Sequence, residues 1–227
     1  WTGEVWMDNM KIGDAAIPPV QNKPTLPIHR AAGPIAIDGA FDAVWAHTDW
    51  YRDYNVIAAS SEEVDPEFNE AAHGWRALYD DNFLYFYVNV TDDTLVNDSG
   101  DFWKDDGVEF YLDGDNSKNE IDPDDEWTPA YDENDITFNV TYVSEDDPLL
   151  FECSNPDVKY AAAMIDGGFF VEVAVPWRLL GGSKSAGSLM GLEIDFNDDD
   201  DGGERDSKLK YFSVLDESWR DPSTFGT

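Results

Sequence analysis

Cysteine is all but absent. Cys153 is the only one among 227 residues, so no disulfide can close within the chain and no zinc site can be built on thiolates. Basic residues are also scarce. Fourteen Lys and Arg stand against 49 Asp and Glu, a net charge of −35. A nucleic-acid backbone or an anionic membrane surface would be repelled, and no Lys/Arg block offsets that repulsion. Long apolar runs are missing too: nothing approaches the roughly 18 residues that a membrane-crossing helix requires. Residues 1–14, WTGEVWMDNMKIGD, lack the basic start and apolar stretch of a signal peptide, as expected if a leader has been removed or the chain is cut from a longer one. His29, His47 and His73 have no metal-ligand spacing, no serine sits in a Gly-x-Ser-x-Gly turn, and there is no glycine-rich phosphate loop.

Aromatic residues, by contrast, are plentiful. Nine Trp, ten Tyr and 13 Phe make up 14% of the chain. A disordered acidic tail would be poor in them, and the length suffices to bury a proper core. Residues 1–13 alternate like a strand that stops at Gly13-Asp14, either the tail of a preceding domain or an arm that pairs elsewhere. Four prolines in IPPVQNKPTLP then give an extended, semi-rigid linker, assigned to 14–32. The main body is placed at 33–227. FDAVWAH (41–47) suggests a short helical turn, and PWRLLG (176–181) another, opened by Pro176 and closed by Gly181. Strands are predicted at 74–79 and 83–91, around the turn Asp80-Asp81-Asn82, and at 107–113, 135–143, 167–176, 189–197 and 208–214. Short alternating strands without a long amphipathic helix predict an all-β fold, an antiparallel β-sandwich with long acidic loops.

Those loops (113–126, 131–136 and 197–206) are dense in carboxylates, which attract hard cations. Calcium is therefore a candidate structural ion, with Asp113, Asp115, Asp135 and Asp198 as candidate ligands. Asp113, Asp115, Ser117 and Asn119 alternate as in the first half of an EF-hand loop. However, Lys118 stands where that loop needs glycine and the flanks are strands, so an EF-hand is excluded while a loop-bound calcium is not. Glu109 and Glu172 lie mid-strand and could pair as a glycosidase acid and nucleophile, yet carboxylates are so abundant that such a pair is expected by chance. Trp103 and Trp219 are more informative. Both sit among charges, in GDFWKDDGVEF and DESWRDPSTFG. Core periodicity does not place them there. An aromatic face is a platform for a sugar ring, with carboxylates and amides to take the hydroxyls. The competing reading is that each lids an edge of the sandwich.

IDGAFDAVW (37–45), WRALYDDNFLYFYVNVTDD (75–93), FWKDDGVEFYLDGDN (102–116), GGFFVEVAVPW (167–177), GLEIDFND (191–198) and SWRDPSTFG (218–226) occur in this order. Together they resemble the family 9 carbohydrate-binding modules, over roughly residues 33–227. The resemblance implies a calcium-containing β-sandwich attached to a secreted, extracellular polysaccharide-degrading enzyme. It implies no catalysis: such a module binds a polysaccharide or oligosaccharide, a glucan or xylan chain end held between two tryptophans. Trp103 and Trp219 match those tryptophans, Glu109 an acidic residue that accepts from sugar hydroxyls, and Arg76 a basic position one strand earlier. Asn139 stands where the family often has arginine, and Asp216 where it often has asparagine. Both departures remove donors that would reach the sugar. The alternative is a structural or assembly module, with residues 1–13 adding a strand to a neighbouring domain or subunit.

Overall fold

The computed structural model describes residues 25–52, 55–58, 74–125, 127–143 and 151–227. The strand expected at 1–13, with its possible neighbouring partner, lies outside the described residues, as does most of the linker expected at 14–32. Two sheets face each other. The first runs β1 (His29–Arg30), β3 (Gly74–Tyr79), β4 (Phe83–Thr91), β9 (Gly168–Pro176), β8 (Lys159–Ile165) across its width, and the second β2 (Asn55–Ala58), β11 (Ser207–Lys210), β10 (Gly191–Asp198), β5 (Gly107–Asp113), β6 (Asp135–Tyr142), β7 (Phe151–Cys153). All pairings are antiparallel except β1 with β3. The predicted all-β sandwich is thus the observed architecture.

Local chemistry sets the joints. Between β3 and β4 the Asp80 carboxylate accepts from the amides of Asn82 at 2.7 Å and Phe83 at 2.8 Å, closing the expected turn. Pro176 and Gly181 flank a 3-10 turn over Trp177–Leu180, and Gly181 takes the left-handed conformation at φ 74° that glycine adopts without a Cβ penalty. The region expected to be linker reaches further into the body than its composition suggested. His29 and Arg30 pair with Leu78 and Tyr79, and the Leu26 amide donates to the Thr227 carbonyl at 3.0 Å. An unpaired sheet edge accepts any extended segment, and prolines do not prevent two residues from joining it.

Strand alternation sorts the residues onto two kinds of face. Trp75, Phe86, Val88, Phe110, Phe138, Ile194 and Phe196 fill the space between the sheets. The Phe110 and Phe138 rings stack with centroids 4.8 Å apart. The outer face of the five-stranded sheet carries a second apolar cluster, in which Trp45 packs with Leu78, Tyr85, Tyr87 and Phe170. Glu172 belongs to that outer face. It accepts from Trp45 Nε1 at 3.3 Å and from the Gly39 amide at 3.2 Å. Glu109 lies on the outer face of the other sheet, so the thickness of the sandwich separates the two and they cannot act as a glycosidase pair. Truncating the central ring, Phe110→Ala, should cost about 3–5 kcal/mol, read as a lowered denaturation midpoint in urea with an unchanged slope.

Candidate functional site

The outer face of the six-stranded sheet is polar yet buried. Pairing register aligns Lys210, Asp195, Glu109 and Asn139 across β11, β10, β5 and β6. Inward neighbours such as Val108, Phe110, Ile194, Phe196 and Leu209 occupy the core, so these polar side chains point the other way. All four are buried, Lys210 and Asp195 completely. Buried charges must be paired, and here they are. Lys210 Nζ lies 2.5 Å from Asp195 Oδ2. Lys208 Nζ reaches Asp216 at 3.0 Å, Asp195 at 3.4 Å and Glu109 at 3.7 Å. Glu109 also accepts from Asn197 Nδ2 at 2.5 Å and from the Tyr111 hydroxyl. Burial alone would raise the Glu109 pKa, but Lys208, Asn197 and Tyr111 outweigh it and hold the carboxyl below its ordinary value. At Asp216 the push from burial is likewise overcome, by Lys208, Lys210 and Arg205. Both remain acceptors at neutral pH.

The two tryptophan-bearing loops are fastened to this floor. Arg205 does so for the first: its guanidinium donates to the Trp103 carbonyl at 3.0 Å, to Asn197 Oδ1 at 2.8 Å and to Asp216 Oδ2 at 3.0 Å. Lys210 does so for the second, donating to Ser218 Oγ at 2.9 Å, next to Trp219. The Tyr131 hydroxyl donates to the Ser218 carbonyl from below. Both indoles stay exposed, Trp103 at 44% and Trp219 at 41%. Exposed aromatics on loops tied to ionised acceptors form a surface suited to a neutral polyhydroxylated ring.

Five of the six expected site residues therefore belong to one neighbourhood: Trp103, Trp219, Glu109, Asp216 and Asn139. Asn139 sits in the same row but is turned aside, its Nδ2 donating to Thr141 Oγ1 and its buried Oδ1 without a partner. Arg76 does not belong there. It follows inward-facing Trp75 on β3, so it points to the outer face of the five-stranded sheet, where it lies 4.6 Å from the Trp50 ring and donates to the Trp45 carbonyl. That expectation is corrected by simple alternation on the wrong sheet. The residues missed were Arg205, Lys208, Lys210 and Asn197. Three of the chain's 14 basic residues fall within RDSKLK (205–210), a concentration that marked the segment in so acidic a protein.

Carboxylates also gather where the loop before β5 meets the loop after β10. Asp92, Asp106 and Asp198 each offer an oxygen within 4.8 Å of the others, as do Asp98, Asp105 and Asp199. Burial, then Asp92, pushes the Asp106 pKa well up. Of the four expected cation ligands, Asp198 stands in such a group. Asp113, Asp115 and Asp135 lie at a different turn. There Asp113 accepts from the amides of Asp115, Ser117 and Lys118. Lys118 adopts φ 48°, in the left-handed region that favours glycine, and its Nζ donates to the Phe225 carbonyl at 2.9 Å.

A β-sandwich whose outer face carries exposed aromatics over a hydrogen-bonding floor has the architecture of a binding module. Residues 37–227 match the model of the carbohydrate family 9 binding domain-like family, and the chain belongs to that family. It is a non-catalytic carbohydrate-binding domain. The endo-1,4-beta-xylanases A of Thermotoga maritima and Thermotoga neapolitana are 29% and 30% identical to it over 196 and 194 residues. In each case 86% of this chain aligns, and it spans 17% of the relative's length. Two solved structures of a family 9 carbohydrate-binding module from Caldicellulosiruptor kristjanssonii, in complex with glucose and with cellotriose, superpose with a TM-score of 0.68 at 21% identity. They cover 88% of this chain and 92% and 90% of their own, and they share its fold.

The floor makes its own prediction. Lys208→Met leaves Glu109, Asp195 and Asp216 short of a cation and should lower stability by about 3 kcal/mol, measured by denaturant unfolding.

Proposed function

We propose that this domain retains a polysaccharide-degrading enzyme on its substrate by holding a glucan or xylan chain end between Trp103 and Trp219. The observation that carries this reading is that both indoles are exposed while their loops are tied to one buried set of ionised acceptors. Glu109, Asp216 and Asn197 orient the sugar hydroxyls. Arg205 and Lys208 supply cationic donors beside the row in which Asn139 replaces the arginine that the family often has. Few anchors imply a modest affinity, roughly micromolar to millimolar. The complexes of the C. kristjanssonii module with glucose and cellotriose support this ligand class, and the xylanase relatives support a secreted, multidomain parent acting outside the cell. Trp103→Ala and Trp219→Ala should each abolish retention on insoluble cellulose and xylan without lowering the melting temperature. Retention of both variants at wild-type levels would refute the clamp.

Calcium is the second part of the proposal. The residues fit a hard cation. The donors are all carboxylate oxygens within 4.8 Å of one another, and burial works against three charged aspartates side by side. Asp92, Asp106 and Asp198 would hold it, and its charge would relieve their repulsion. The loops it would join are those that Trp103 and Arg205 occupy: Asp106 accepts from the Asp199 amide at 3.0 Å, and Lys104 pairs with Glu204 at 2.7 Å. Chelation should therefore lower the melting temperature and weaken sugar binding together, with both restored by added calcium. A melt indifferent to chelator would count against the ion.

A further inference from the structure

We propose that Trp127 forms a second sugar subsite next to Trp219, so that the domain reads at least two consecutive units of a glycan chain. The proposal rests on the sugar-binding reading above and adds to it. Trp127 is the most exposed large apolar side chain among the described residues, at 81%. Strand alternation does not require an aromatic here, since the residue lies in an irregular segment between β5 and β6. The segment is nonetheless held in place. The Ala130 amide donates to the Arg220 carbonyl at 2.8 Å, the Tyr131 hydroxyl donates to the Ser218 carbonyl, and Thr128 Oγ1 donates to Asp125 at 2.8 Å. Two of these bonds grip the residues on either side of Trp219.

The ring geometry points the same way. The Trp127 and Trp219 centroids are 6.4 Å apart with their planes inclined by 40°. This is contact distance for an aromatic pair, but the inclination prevents the two faces from sealing against each other. The result is a bent aromatic surface that extends outward from Trp219. The guanidinium of Arg220 lies 5.2 Å from the Trp219 ring and is paired with Glu217, which helps to fix the junction. A monosaccharide gripped beside Trp219 would leave Trp127 in water. The next unit of a chain, emerging past Trp219, would cover it. The partner is thus an oligosaccharide with stackable pyranose faces on successive units, as in an unbranched glucan or xylan.

The test compares glucose with cellotriose by isothermal titration calorimetry, using wild type, Trp127→Ala and Trp103→Ala. One additional stacked ring is worth about a 3- to 10-fold gain in affinity. Wild type should bind cellotriose more tightly than glucose by that factor. Trp127→Ala should bring cellotriose down to the glucose level and leave glucose binding unchanged, whereas Trp103→Ala should lose both sugars. Trp127→Ala that leaves the cellotriose preference intact overturns the second subsite. So does Trp127→Ala that weakens both sugars equally, since Trp127 would then be a wall of the first subsite. Wild type binding neither sugar would instead remove the sugar-binding reading itself, and the subsite with it.

Discussion

A row of buried charges on one sheet face is the constraint to which the rest of this domain answers. Lys210, Asp195, Glu109 and Lys208 are taken out of water on a surface that most sandwiches leave wet or fill with apolar side chains. Each ion loses several kcal/mol of hydration on burial, and only close, well-placed partners offset that loss. The partners come from the loops on either side of β11: Arg205 from the loop between β10 and β11, and Asp216 and Ser218 from the segment that follows β11. Satisfying the charges therefore dictates where those loops lie. The loops in turn carry the indoles. Site geometry and loop placement follow from one electrostatic requirement.

The two outer faces solve the same burial problem in different ways. On the five-stranded sheet, residues 31–50 lay Trp45, Ile35, Ile37 and Val44 over Tyr85, Tyr87 and Phe170, and a single carboxylate, Glu172, organises that cover by accepting from its amides. On the six-stranded sheet the cover is held by ion pairs and hydrogen bonds. An apolar cover is nondirectional and tolerant. A charged one fixes distances and angles, which suits a surface that must present acceptors at set positions.

The sequence was most legible where one strand face is apolar and the ends are punctuated. β3, β4 and β5 were readable to the residue, because Trp, Tyr, Phe and Val alternate there and Asp80 or Gly107 marks the boundary. β8, KYAAAMI, was not, because three alanines carry no contrast between its faces. β7 is too short to show a period. Trp103 and Trp219 were legible because indoles among carboxylates are out of place in a core pattern. Arg205, Lys208 and Lys210 were not singled out, since a lysine on a strand ordinarily faces solvent, and nothing local says that a loop will fold over it.

The chain by itself determined the class of fold and the family, since composition, alternation and short motifs are local properties. Only the tertiary structure decided which sheet each polar residue serves. It separated Arg76 and Glu172 from Glu109, gathered Asp92, Asp106 and Asp198 from three distant segments, and set Trp127 beside Trp219. Register and loop crossing govern those meetings, and both are fixed by burial energetics summed over the whole molecule rather than by any stretch of sequence.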